Sequence, residues 1–217
     1  MPSIDNHRDA SSESAAKPSD LSRRRLIGVL AGVTATCALP APGGANLTTL
    51  PATLPPSSAM RAAGFRAAPA AWFKLIKQHP ELDLSAEPLA PVALTHAREV
   101  ELALVHQQVN RLIRFRPDGP DRWQLVESEG DCEDYAIRKL FTLCQKYGWP
   151  RSALTLAACH IESGQGHAVL LVHSDRGVYA LDNRRRHVEP WRRLPYRWIA
   201  REDPGAPFGL WRKLPTA

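Results

Sequence analysis

The hydrophobic period changes once, at Gly148 and Pro150, and that change limits the folds open to the chain. Before it, Ala136, Leu140, Leu143, Cys144 and Tyr147 recur at i, i+4, i+7, i+8 and i+11, one face of a helix starting near Asp131. Gly148 and Pro150 end that helix as a C-terminal glycine and trailing proline should. After it, 153–161, 167–173 and 177–182 are short, apolar and rich in Leu and Val, as strands are. Ser174-Asp-Arg-Gly177 makes a turn between the last two.

Upstream the period is helical throughout. Residues 70–78 carry Trp72, Phe73, Leu75 and Ile76 on a short amphipathic helix before Pro80. Residues 95–115 place Leu102, Val105, Val109 and Leu112 at helical spacing and stop before Pro117. The stretch 88–91 is a break and RPDGPD at 116–121 a turn. The tail from Asn183, rich in Arg and Trp (Trp191, Trp198, Trp211), adds a strand or wraps the sheet. Helices first and an antiparallel sheet after define an α+β fold.

The N-terminus sets the expected compartment. Leu21-Ser-Arg-Arg-Arg-Leu-Ile27 is a twin-arginine-like n-region, followed by an apolar run from Leu26 to Leu39 and small residues at Gly43 and Ala45. Residues 1–45 read as a Tat-like signal for export to the periplasm, cleaved near Ala45. An uncleaved anchor in the inner membrane is the alternative, and a lipoprotein on Cys37 is disfavoured because Thr34-Ala-Thr36 makes a poor lipobox. Residues 46–68, rich in Pro, Ser and Thr up to Met60, read as a linker, and 69–217 as the domain. The full chain of 217 residues carries a net charge of +6. That balance suits acidic partners or anionic lipid without selecting one, and export argues against nucleic acid. Beyond residue 45 three of the four cysteines remain, an odd number, so at least one thiol stays unpaired where disulfides can form. They show no CxxC or Cys/His metal spacing, which argues against zinc.

Cys132 is the thiol that asks for an explanation. Asp131 and Asp134 are spaced as a capping box, so Cys132 is the first helical residue. Unpaired N–H groups and the helix dipole there favour thiolate, while Asp131, Glu133 and Asp134 oppose it. Something must offset the carboxylates, either a protonated histidine or a held cation. His167 opens one strand and Asp182 closes the next. With a two- or four-residue loop, residue 169 faces 182, and His167 and Asp182 become diagonal neighbours on one face. With Cys132 packed against that face, Cys132 is a nucleophile, His167 its base and Asp182 the group that orients the ring. The N–H groups at the helix start receive the oxyanion, and Gln124 is either a side-chain donor there or a plain surface glutamine.

GDCEDYAIRKLF around Cys132, GHAVLLV around His167 and ALDN around Asp182 resemble the three blocks of the bacterial transglutaminase-like cysteine proteinases, including their LapG-like periplasmic members. VNRLIRF at 109–115 and Trp123 resemble two further blocks. The resemblance implies a papain-like, transglutaminase-like core with helices packed on an antiparallel sheet. It also implies a Cys132–His167–Asp182 triad cleaving a protein outside the cytoplasm, a surface or membrane protein among the candidates. It further implies calcium held by Asp131 and Glu133, and an inner-membrane regulator. The stretch between Trp123 and Gly130 is shorter than in the family, and Asn183 is followed by three arginines instead of an apolar residue.

The residues leave other readings open: transfer of the acyl group to an amine, or a non-catalytic binding module on the same fold. Asp131 serves equally as a plain N-cap, and Asp134 as a helix-start charge. Cys144 and Cys159 read as core, His160 and His173 as ordinary strand histidines, and the cluster 184–193 as a solvated face.

Overall fold

The computed structural model describes residues 53–84, 88–117 and 122–214, all within the unit Asn46–Ala217. The expected export signal and most of the 116–121 turn lie outside them. No helix among the described residues is long and apolar enough to cross a membrane. In chain order come β1 (Phe65–Ala67), α1 (Ala70–Gln78), α2 (His96–Leu112), β2 (Arg114–Phe115), β3 (Glu129–Gly130) and α3 (Cys132–Tyr147). The rest is strand: β4 (Leu154–His160), β5 (Gly166–Ser174), β6 (Gly177–Leu181), β7 (Glu189–Pro190), β8 (Arg197–Arg201) and β9 (Leu210–Lys213).

The helices form where local chemistry favours them. α1 starts after Pro69, buries Trp72, Leu75 and Ile76, and stops before Pro80. α2 is capped by Thr95, whose hydroxyl accepts from the Arg98 N–H at 3.4 Å. α3 is capped by Asp131 and Asp134, and Gly148 closes it at φ 64°, a left-handed conformation that glycine adopts without strain.

α2 ends three residues earlier than its sequence period suggests. The Arg114 N–H donates to Ser128 O at 2.7 Å and the Arg116 N–H to Gly130 O at 2.9 Å, so main-chain pairing with β3 takes over from helical bonding. Leu112, expected on the buried stripe, is exposed, as is Phe115, and Ile113 is buried instead. That exposure puts Phe115 where a cleft opens, as described below.

The sheet runs β1-β9-β8-β4-β5-β6-β7, and every neighbouring pair in it is antiparallel. Strand alternation gives it two cores. On one face Leu154, Leu156, Leu170, Val172, Tyr179 and Leu181 pack with Ala136, Ile137, Leu140 and Leu143 of α3 and with α2. On the other, Ala157, Cys159, Val169, Leu171, Val178 and Ala180 pack with Met60, Leu194, Tyr196 and Trp198. The tail adds three strands, including β9, whose Trp211 is buried against Trp123 at 5.8 Å between ring centroids.

The stretch read as a linker is folded onto the sheet from Leu54 onward. Leu54 and Met60 are buried, the Val178 N–H donates to Ser58 O at 3.0 Å, and β1 pairs with β9. Its proline and serine content signals irregular backbone, but two apolar anchors and main-chain bonds to β6 are enough to hold it. The strap crosses Gly177 so closely that a Cβ there would lie 2.5 Å from the Ser58 nitrogen, at a φ of +106°. Gly177→Ala is therefore expected to destabilise the fold by at least about 1 kcal/mol, and by more than Gly148→Ala, whose added Cβ meets nothing within 4 Å. Urea denaturation of the two variants measures the difference.

Candidate active site

β5 and β6 are joined by the two residues Asp175 and Arg176, with Ser174 opposite Gly177 and Leu170 opposite Leu181. Continued one step, this register sets Val169 against Asp182, so His167 and Asp182 share a face. His167 Nε2 lies 2.8 Å from Asp182 Oδ1, and both residues are buried. Asp182 has two further donors. Tyr196 Oη donates to Oδ2 at 2.5 Å and the Arg184 N–H to Oδ1 at 2.9 Å. Burial alone would raise the Asp182 pKa, but the bond and charge of His167, with help from Tyr196 and Arg184, bring it down to about 2. An ionised Asp182 takes the proton-bearing Nε2, which leaves Nδ1 as the free base of the neutral ring.

Cys132 is the first residue of α3 and half-buried. The body of α3 and the imidazole lie on opposite faces of the sheet, although the reading of the sequence has Cys132 packed against the His167 face. α3 packs on the Leu170 face, whereas alternation puts His167 with Val169 and Leu171, edge-on to Tyr196 at 5.7 Å. Cys132 and His167 line the same two cavities at the end of β5, where the Ala168 N–H is directed at the sulfur. Cys132 Sγ donates to Glu133 Oε2 at 3.0 Å. Burial, then the charge of Glu133, push the thiol pKa well up, and Asp131 adds to this. Glu133 is itself raised to about 8 by burial, with Asp131 contributing. The carboxylates therefore do oppose thiolate, and the cluster holds more negative charge than its surroundings stabilise.

Two cavities of about 350 and 490 Å³ share Cys132, His167, Gln165, Gly166 and Phe115. The first adds Tyr135, Ile161 and Arg184. The second adds Trp123, Asp131, Glu133 and Ile199. Together they form a cleft that crosses the thiol.

Of the two readings of Gln124, the structure fits the surface glutamine and not the oxyanion donor. It is exposed, lines neither cavity, and faces a separate depression with Arg116, Glu129 and Asp134. Trp123 is buried against Trp211, whereas Gln124 is exposed. Asp134 is structural, as its position suggested: Oδ1 accepts from the Gln124 N–H at 2.9 Å and Oδ2 from the Asp131 N–H at 3.3 Å. Asp131 and Glu133 are brought together, with ligand atoms of Asp131, Cys132 and Glu133 all within 4.8 Å of one another. Glu129, nearby in sequence, is instead occupied by Arg114 and Arg116.

Other assignments divide. His173 is buried and hydrogen-bonded to Thr155 at 2.9 Å, and His160 pairs with Arg197 at 2.7 Å. Cys144 is half-buried on the α3 core face, and Cys159 is a buried thiol beside the second cavity. Arg184 is exposed, as the reading of 184–193 as a solvated face expects, but it also borders the cleft. Its Nη1 bonds Glu162 at 2.9 Å and Tyr196 Oη at 3.0 Å while it walls the cleft. Tyr196 was missed, because a single tyrosine in an Arg/Trp-rich tail carries no spacing signal.

Residues 62–217 match the family of bacterial transglutaminase-like cysteine proteinases (BTLCP), and the chain belongs to that family. It is a transglutaminase-like cysteine peptidase. Among solved structures it is similar to Legionella pneumophila LapG at 24% identity over 55% of this chain. The match covers 72% of the calcium-bound LapG chain at a TM-score of 0.46, and 68% of the EGTA-treated one at 0.45. No curated protein matches the chain.

The raised Glu133 pKa has a measurable consequence. The folded form holds the Glu133 proton up to about pH 8, whereas the unfolded chain releases it at the ordinary 4.5. That contribution to stability is complete below the unfolded value and is lost as pH rises through the folded one. In EGTA, the stability of wild type relative to Glu133→Gln is expected to fall steadily from pH 5 to 8. Urea midpoints of the two proteins check this, and a constant difference would contradict it.

Proposed function

We propose that the protein is an exported, periplasmic endopeptidase that cleaves a protein substrate through an acyl-enzyme. Cys132 is its nucleophile, His167 its general base and acid, and Asp182 the group that orients His167. The observation that carries this reading is the buried 2.8 Å His167–Asp182 contact at the edge of the cleft that Cys132 lines. The export signal comes from the sequence of residues 1–45, and a surface or membrane protein as substrate, with an inner-membrane regulator, from the resemblance.

His167 Nδ1 takes the thiol proton as Sγ attacks the scissile carbonyl. The negative charge that develops on the carbonyl oxygen falls at the start of α3, where the Cys132 N–H and the helix dipole meet it. His167 then gives the proton to the departing amine, and the carbon–nitrogen bond breaks. Water, deprotonated by the same nitrogen, attacks the thioester, and Sγ leaves to recover the proton. Asp182 stays ionised throughout and stabilises each imidazolium.

Asp131 and Glu133 fit a cation, because their proximity and burial raise the Glu133 pKa and a positive charge would relieve both effects. Calcium, which takes about six to eight oxygens, supplies positive charge beside the thiol when bound. Asp131 and Glu133 would furnish part of that set. With both carboxylates engaged by a cation, Glu133 no longer competes for the Cys132 proton.

The test compares wild type with Cys132→Ala on a periplasmic extract, with and without EGTA. New fragments are expected from wild type alone, reduced at least tenfold by EGTA and restored by added calcium. His167→Ala should abolish turnover, and Asp182→Asn should lower it at least about a hundredfold. Fragments that persist with Cys132→Ala would refute the nucleophile. Turnover indifferent to EGTA would remove calcium and leave the peptidase reading in place.

A further inference from the structure

Lys139 is buried completely and is used by no step of the chemistry above. It lies seven residues after Cys132 on α3, two helical turns on and therefore on nearly the same side. Its Nζ donates to Leu181 O at 3.1 Å, the carbonyl immediately before Asp182, and sits 5.8 Å from the centroid of the Tyr135 ring. A lysine withdrawn from water carries a large desolvation cost unless an opposite charge is near. Burial pulls its ammonium down to about 7, and the charge of Asp182 pulls the other way.

Asp182 needs such a partner. It is fully buried, and its hydrogen-bond donors are His167, the Tyr196 hydroxyl and the Arg184 main chain. His167 balances its charge only while protonated, and the reaction repeatedly removes that proton. Other basic groups nearby do not take over. The Arg184 guanidinium is engaged with Glu162 and Tyr196, and that of Arg185 with Glu162. His106, buried on α2, is held neutral, its pKa lowered to about 3 by burial and by Lys139. Its Nε2 and Asn110 Nδ2 instead meet Arg185 O, at 3.1 and 3.2 Å, and peg the loop after Asp182 from α2.

We propose that Lys139 is the resident counter-charge of Asp182, a positioning residue that keeps the acid ionised when His167 is neutral and ties its strand end to the helix carrying Cys132. This rests on the triad reading above. Thiol and orienting acid are then registered through one helix, and removal of the ammonium leaves Asp182 to bind the imidazolium too strongly.

Lys139→Met, Asp182→Asn and the double variant test the proposal by urea denaturation at pH 6, where the ammonium is charged. Each single change is expected to lower stability, and the second change to restore most of what the first removes, because neither charge then stands alone. NMR titration of the His167 Cε1 proton gives a reading that packing would not move. In Lys139→Met the proton affinity of His167 should rise about tenfold, one pKa unit. The charged and titratable groups around His167 (Asp182 and Tyr196 against its ring, Arg184 and Arg185 over the Tyr196 ring, Cys132 and Glu133 in the shared cavity) are unchanged in that variant. Additive stability losses with an unmoved titration would overturn the proposal. If Lys139→Met does not fold, the double variant decides, and its failure to fold would also overturn it. Full turnover in Asp182→Asn would instead sink the triad reading itself.

Discussion

The two-residue connection between β5 and β6 is the constraint on which the site depends. Because side chains alternate along a strand, a slip of one residue would send His167 and Asp182 to opposite faces. The register is held from several directions. Ser174 Oγ donates to Gly177 O at 2.8 Å across the turn, the 57–58 strap lies against Gly177, and both faces of the hairpin are buried. A hairpin with one solvated face would have a weaker preference. Here a slip would expose two cores at once.

Around that contact the site is built from opposed electrostatic terms. The start of α3 and the Ala168 N–H favour a negative sulfur, while burial, Glu133 and Asp131 disfavour it more strongly. Asp182 is the reverse case, a buried carboxylate that its donors keep ionised. The two acidic centres therefore differ in kind. One is saturated with hydrogen bonds and a fixed partner, and the other is crowded with like charge and suited to a cation. A thiol set among carboxylates is thus coherent when its ionisation is conditional on what the carboxylates hold.

Much of this was legible in the chain. The capping box at Asp131, the glycine at 148 and the turn at 174–177 are local signals, each decided within a few residues, and all three elements fall where those signals put them. The parity of the hairpin follows from a two- or four-residue loop, and the structure supplies the two-residue one. Features that depend on distant partners were not legible. α2 ends early because β3, fourteen residues on, captures its last backbone groups. The 53–68 strap looked like a linker because its two apolar anchors matter only against strands more than a hundred residues later. Gln124 kept two readings open until the structure left it exposed, beside a Trp123 buried against Trp211.

The sequence by itself determined the long helices before residue 148 and the strands after it, the placing of Cys132 at a helix start, and the loop condition under which His167 and Asp182 share a face, because these rest on period, capping and turn length. Only the tertiary structure decided that the helix covers the face away from His167, that Cys132 and His167 line shared cavities, that Tyr196 completes the bonding of Asp182, and that a buried ammonium from α3 bonds the carbonyl just before that acid. The physical reason is range. Backbone geometry is set by neighbours in the chain, whereas burial and charge balance are properties of whatever the fold brings within a few ångströms.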